Sequence, residues 1–434
     1  MRLRLLVPGR RRRAGLGGLA AAAAALALLA GCGGGSKAPA STTAAEAPPA
    51  PRPTVLATGL TEANAQLLWP AGVARPDDAP VFGPWRDRVA ALRPAFVRVA
   101  VDWARLQPDP AQPAVLDGAA DGCLRGVPPC GAFSGLREQL QAIAAMQRAG
   151  HGAPEVEMVV LGVPDWAAEP ASGCERSDAA PRSRPITAAG LVAYRALLGQ
   201  LVALGQATGA QLRWWSPFNE PNHAAFISPQ RATCSAAAPS RAPEVYAQLV
   251  RAAHDALDAA PGDQRLVLGE MAGVTTPTPR GSSVQEVVAG LPDDVACASR
   301  MWSQHEYAIL APQPTDGDPV AALEQALDAR PCTRGAHIWI TETGVGGPRP
   351  GADRATDDAS LRAGCRAMDL LLRRWAADPR VDVAIQYTFR DDTAYPVGLA
   401  DPGLTRTYPT YDLWRAWGAR APSDPPPALP ASCR

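Results

Sequence analysis

Two glutamates occupy equivalent positions in this chain. Glu220 closes the run Trp214-Trp215-Ser216-Pro217-Phe218-Asn219, and Glu342 closes Ile338-Trp339-Ile340-Thr341. Each is a carboxylate at the end of a short apolar, aromatic-rich segment, the pattern of a strand that carries a polar group out of a core. Two carboxylates facing each other across a cleft are the minimum equipment for breaking a glycosidic bond. One donates a proton to the leaving oxygen while the other attacks or stabilises the anomeric carbon, and unequal surroundings push their pKa values apart. Glu270, in Leu268-Gly269-Glu270-Met271, also ends an apolar run but lacks the flanking aromatic pattern.

Other residue types narrow the chemistry. Lys37 is the sole lysine among 42 basic residues, so a Schiff base, a phosphate-loop lysine and a lysine general base are excluded. The five histidines (151, 223, 254, 305 and 337) are scattered, and no cysteine pair has Cys-x-x-Cys spacing. Neither pattern fits a metal centre, and neither a metal nor a cofactor is expected. A formal net charge of zero offers no bulk attraction to nucleic acid. Tryptophan, with eleven copies against six of phenylalanine, is the commonest aromatic. Trp103 and Trp166 fall just past predicted strands, where flat indoles can stack on sugar faces. Asp102 and Asp165 precede them and bind sugar hydroxyls or cap helices.

The elements that must position these groups alternate. Strands are expected at 66–68, 96–101, 156–161, 212–217, 266–268, 301–305, 338–341 and 383–387, and helices at 135–149, 188–205, 243–259 and 359–377. Eight strand–helix units that close on themselves make an α/β fold of the (β/α)8 TIM-barrel type, with chemistry at the C-terminal ends of the strands. The first strand has the weakest pattern. Long loops at 107–134, 168–185 and 221–242 fall at that catalytic end. An open doubly wound sheet is less compatible, because no glycine-rich phosphate turn follows any strand.

At the N-terminus, arginines precede an uncharged stretch from Leu16 to Leu29, and Leu29-Ala30-Gly31-Cys32 follows. This resembles a lipoprotein signal: residues 1–32 form the signal segment, cleaved before Cys32, whose thiol then carries lipid. Residues 33–54 read as a flexible linker, 55–420 as the barrel and 421–434 as a C-terminal tail. The only membrane contact expected is that anchor on an exported, monomeric protein. Eight cysteines remain, an even number that fits disulfides outside the cytoplasm. Cys123 with Cys130 and Cys174 with Cys234 are the expected first pairs.

Asn219-Glu220-Pro221 at the end of the fourth strand, with Glu342 ending the seventh, resembles clan A of the retaining glycoside hydrolases, families 5 and 39 in particular. The resemblance covers about residues 55–420. It implies Glu220 as acid/base, Glu342 as nucleophile and Asn219 as the residue that holds the sugar 2-hydroxyl. It places Arg98 near the nucleophile and His305 with Tyr307 at the end of strand six, the tyrosine donating to the nucleophile. Members commonly end strand eight in a tryptophan that floors the sugar subsite. Here Tyr387-Thr388-Phe389-Arg390-Asp391 stands there, and Phe389 is the expected substitute, with Arg390 or Asp391 contacting substrate. A carbohydrate is therefore the expected partner. A barrel that binds sugar at the cell surface without cleaving it is the alternative, but binding alone does not require both glutamates.

Overall fold

The computed structural model describes residues 56–75, 78–149, 153–313, 317–421 and 424–434. The signal segment, Cys32 and the linker lie outside the described residues. The strands are β1 (Ala57–Thr61), β2 (Phe96–Asp102), β3 (Glu155–Leu161), β4 (Trp214–Ser216), β5 (Arg265–Leu266), β6 (Leu268–Met271), β7 (Met301–His305), β8 (His337–Thr343) and β9 (Val381–Tyr387). All their pairings are parallel, and the sheet order is β5-β4-β3-β2-β1-β9-β8-β7-β6. Because β5 and β6 are separated only by Val267, they form one interrupted strand. Val267 N–H donates to Trp215 O at 2.9 Å, which closes the ring. The fold is the expected eight-stranded α/β barrel.

The helices are α1 (Ala65–Leu68), α2 (Gly83–Ala91), α3 (Trp103–Leu106), α4 (Gly135–Arg148), α5 (Ala188–Thr208), α6 (Ala242–Asp258), α7 (Val284–Gly290), α8 (Asp293–Ala296), α9 (Pro319–Asp328), α10 (Asp358–Ala377) and α11 (Pro409–Gly418). The four expected long helices correspond to α4, α5, α6 and α10. The expected first strand is a correction. Gln66-Leu67-Leu68 lies in α1, nucleated by Asn64, whose side chain accepts from Gln66 N–H at 2.9 Å. The true first strand is Ala-Thr-Gly-Leu-Thr. It has small residues because a Cβ on Gly59 would stand 2.9 Å from the Ile385 side chain and the Phe96 carbonyl. Crowding inside the barrel, not strand propensity, selects that sequence.

The barrel interior has two layers. Phe96, Trp214, Val267, Trp339, Val383 and Ile385 form a closed apolar cluster at the N-terminal end. Trp339 packs edge-on against both Phe96 and Trp214, with centroids 4.9 and 4.8 Å away. A much larger apolar shell between strands and helices includes Trp215, so the two adjacent tryptophans face opposite ways, as strand alternation requires. Above the apolar floor the interior turns polar.

Four disulfides are present: Cys123–Cys130, Cys174–Cys234, Cys297–Cys332 and Cys365–Cys433. The first two join loops beyond the C-terminal strand ends, as expected. The last ties the C-terminal residues to α10, where Cys433 is fully buried.

Candidate active site

The polar layer begins with Arg98. It lies in the middle of β2, level with Thr61 on β1 and Glu157 on β3, and its side chain is almost completely enclosed. One terminal nitrogen contacts both Glu270 and Asn219, the latter at 2.7 Å. The other is 2.8 Å from Glu342. Arg98 is thus the hub that joins β2, β4, β6 and β8.

Beyond β4 the chain bends through residues 217–219. Asn219 N–H donates to Val160 O at 3.0 Å and Glu220 N–H to Glu270 O at 2.9 Å. Phe218 is completely buried, and the Tyr194 hydroxyl donates to Pro217 O at 2.6 Å. Glu220 then turns at φ 40°, a left-handed conformation that costs a non-glycine residue about 1–3 kcal/mol. Asn222 clamps the turn from outside, accepting from Ala272 N–H at 2.7 Å and donating to Ala272 O at 2.9 Å.

Glu342 reaches the interior by a register slip. Ile338 and Ile340 of β8 lie in the outer shell, so plain alternation would turn residue 342 outward as well. Between Ile340 and Glu342 the pairing with β7 advances two residues against one, and between Ile340 and Thr343 that with β9 advances three against two. This bulge brings Glu342 inward, while the Thr343 hydroxyl points back to Met368 of α10. The same device acts on β6, where Leu268 and Met271 pair with Trp302 and Gln304. Gly269 at φ 108° and Glu270 at φ 52° absorb the extra residue, and Glu270 enters the barrel with no exposure. On β7, alternation is regular. His305 faces inward, Glu306 faces outward to pair with Arg374 and Trp375 on α10, and Tyr307 faces inward again.

These side chains converge. One carboxylate oxygen each from Glu220 and Glu342 and one ring nitrogen of His305 lie within 4.8 Å of one another. His305 Nδ1 is 2.9 Å from Glu220 and 3.5 Å from Glu342, and its Nε2 is 3.0 Å from Glu270. The Tyr307 hydroxyl donates to Glu342 at 2.6 Å. Burial works against a charged His305, but Glu342's charge and the hydrogen bonds to Glu220 and Glu270 push the imidazolium up to about 10. Burial likewise opposes an ionised Glu270, yet Arg98 and His305 hold it well below the usual carboxylate range. Glu157, beneath them, is driven the other way by burial and by the charge of Glu270. Tyr307 is raised well above the ordinary phenol by burial and by Glu342, so it remains a donor. The trio Glu220–His305–Glu342 has enough oxygen and nitrogen to hold a metal ion. However, a protonated imidazole with both nitrogens committed to carboxylates has no lone pair to offer one.

Not every expected residue reaches the cleft. Trp103 is completely buried against Trp166 and Tyr194, and Phe389 is completely buried between Trp85 and Tyr411. Neither has a face for a sugar, because each is the apolar anchor of its loop. Trp166 keeps partial exposure and donates to Gln107 O at 2.9 Å. Asp102 pairs with Arg182 at 3.0 Å and makes no cap hydrogen bond, while Asp165 is exposed. Arg390 is buried and donates to Val127 O, Pro129 O and Pro402 O, and Asp391 pairs with Arg354. Both therefore build loops.

Two site residues escaped the sequence reading. Tyr387, the last residue of β9, occupies the strand-eight position expected of a platform. Tyr395 packs on Tyr307 and Tyr387 at centroid distances of 5.1 and 6.1 Å. Burial and then the charges of Glu220 and Glu342 raise the Tyr395 hydroxyl far above its ordinary value. The only sequence signal was the acidic turn Asp391-Asp392 just after the strand. Asp392 folds back to accept from Tyr395 N–H at 2.9 Å and binds Arg125, from the Cys123–Cys130 loop, at 2.6 Å.

No family model and no curated protein matches this chain. Solved structures do. An endo-β1,6-glucanase, BT3312, superposes with a TM-score of 0.52 at 13% identity, covering 84% of this chain and 75% of its own. A conserved exported protein from Bacteroides fragilis gives 0.52 at 11%, covering 86% and 80%. A family 39 glycoside hydrolase from Bacteroides cellulosilyticus WH2 gives 0.50 at 14%, covering 85% of this chain, which spans 64% of that protein's length. At these identities the likeness is one of fold: the chain folds as a TIM barrel, as those proteins do.

Proposed function

We propose that this protein is a retaining β-glycosidase acting on an oligo- or polysaccharide, with Glu220 as acid/base and Glu342 as nucleophile. The observation that carries this reading is the short approach of the two carboxylates across the barrel mouth. One oxygen of each comes within 4.8 Å of the other, a short approach compatible with the ~5–5.5 Å carboxyl separation of retaining enzymes. Arg98 and Tyr307 donate to Glu342 and hold its carboxylate in place for attack. Glu220 protonates the leaving oxygen, Glu342 attacks the anomeric carbon, and Glu220 then deprotonates the water that releases the covalent glycosyl intermediate. Asn219, its Oδ1 held by Arg98, presents its amide NH2 to the sugar 2-hydroxyl. Tyr387 takes the platform role expected of Phe389.

Four disulfides support an exported protein, and Leu29-Ala30-Gly31-Cys32 supports a lipid anchor. Cys32→Ser releasing the protein from the membrane fraction would bear out the anchor, and unchanged fractionation would refute it.

The enzyme reading is tested by screening the purified protein against aryl β-glycosides and polysaccharides, then following the first-formed product by proton NMR. The expected result is hydrolysis with the product's initial anomer the same as the substrate's. An inverted first product would overturn the mechanism and the nucleophile. Binding without hydrolysis across the panel would favour a sugar-holding surface protein.

A further inference from the structure

Glu270 is fully enclosed, so no substrate atom can reach it, yet it touches both buried cations of the site and the backbone of Glu220. It contacts Arg98 and His305, and its backbone carbonyl accepts from Glu220 N–H. Two unusual local features hold it there: a bulge in β6 and a left-handed backbone. Structural ion pairs rarely need such placement, since a strand residue of regular parity serves as well.

We propose that Glu270 is a positioning residue of the active site, a buried fixed anion that keeps Arg98 and His305 cationic and aimed at Glu342 and Glu220. This rests on the glycosidase reading for what the two cations act upon. By accepting from His305 Nε2, Glu270 fixes the ring so that Nδ1 faces Glu220. By accepting from Arg98, it leaves the other guanidinium nitrogen for Glu342.

The groups facing Glu270 from every side are Arg98 on β2, Glu157 on β3, Ser216 on β4, Tyr246 on α6 and His305 on β7. Glu342 on β8 and Glu220 lie beyond the two cations. Burial and the charge of Glu270 favour an uncharged Glu157, which leaves Arg98 and His305 as the two cations that face Glu270.

The chain's five histidines make a direct test practical. Imidazole 15N shifts of the full protein, assigned with the conservative His305→Gln variant, should show His305 as an imidazolium across neutral pH, where an ordinary histidine with pKa ~6.5 is already losing its proton. In Glu270→Gln that titration should move down by at least about one pH unit, and Glu157→Gln, which removes an uncharged acid, should leave it in place. On any hydrolysed substrate, Glu270→Gln should lower kcat by about tenfold or more with KM nearly constant, and shift the pH profile. The idea fails if wild-type His305 titrates as an ordinary histidine, a result that stands even if Glu270→Gln does not fold. It also fails if Glu270→Gln leaves the titration unmoved, or loses only thermal stability while kcat and its pH profile stay intact. Because the shifts need no substrate, they answer independently of the glycosidase assignment.

Discussion

The floor and the mouth of this barrel are built from the same strands by opposite means. At the floor, Phe96, Trp214, Trp339 and their neighbours fill space with large apolar side chains at regular strand parity. Two to four residues further along, β2, β4, β6, β7 and β8 supply Arg98, Ser216, Glu270, His305 and Glu342, with bulges on β6 and β8 breaking that parity. The floor is held by volume, and its contributions are spread over many contacts. The mouth is held by charge, where the removal of one partner strands another in a low-dielectric interior. Stability therefore belongs to the floor and chemistry to the mouth, and a single strand serves both.

The sharpest way to break this division is to change the mouth without changing its shape. Glu342→Gln and Glu220→Gln should each lower kcat by roughly a thousandfold or more on a substrate with a poor leaving group, while each variant still folds. Near-normal turnover in either variant would remove that residue from its assigned role. The converse change, Trp339→Ala at the floor, should cost about 3–5 kcal/mol by denaturant unfolding, while the residual folded protein keeps its kcat. If activity per folded molecule falls as far as stability does, floor and mouth are not separable.

A smaller effect follows from His305. Its folded-state value, about 10, lies above that of an unfolded histidine, ~6.5. The stabilisation it gives is therefore complete below the unfolded value and drains away as pH rises towards the folded one. Denaturant curves at pH 7 and pH 10 should differ by on the order of 2 kcal/mol, with the alkaline state weaker. The smallest effect belongs to His337 at the base of β8, raised by its hydrogen bond to Asp382 at 3.0 Å. Its side chain is 34% exposed, so His337→Gln should cost only about 0.5 kcal/mol at pH 5, and the difference from wild type should close above neutral pH.

What the sequence could reveal divides along the same line. Glu220, Glu342, Asn219, Arg98, His305 and Tyr307 all lie on or just past strands whose apolar pattern is strong, so strand ends could be read and a shared mouth inferred. Glu270 has a comparable position and, like Glu342, is turned inward by a bulge that leaves no periodic trace, but it lacks the aromatic flank that singled out the other two. Tyr395 stands eight residues past β9 and reaches the cleft only because Asp392 folds the loop back. Trp103 and Phe389 were misread because a strand-end aromatic has two uses, lining a cleft or anchoring a loop, and composition does not distinguish them. The first strand was misplaced because its small residues answer to crowding from β2 and β9, a constraint that lies far away in sequence.

The bulge in β8 has a consequence for how this chain tolerates change in length. Substitutions along Ile338–Thr341 alter packing one side chain at a time. A single-residue deletion there would restore even parity and rotate residue 342 out of the barrel towards α10, and an insertion would displace it just as surely. The spacing between Trp339 and Glu342 thus acts as a reading frame for the site: a missense change in this segment is graded, whereas a one-codon loss or gain is all or none.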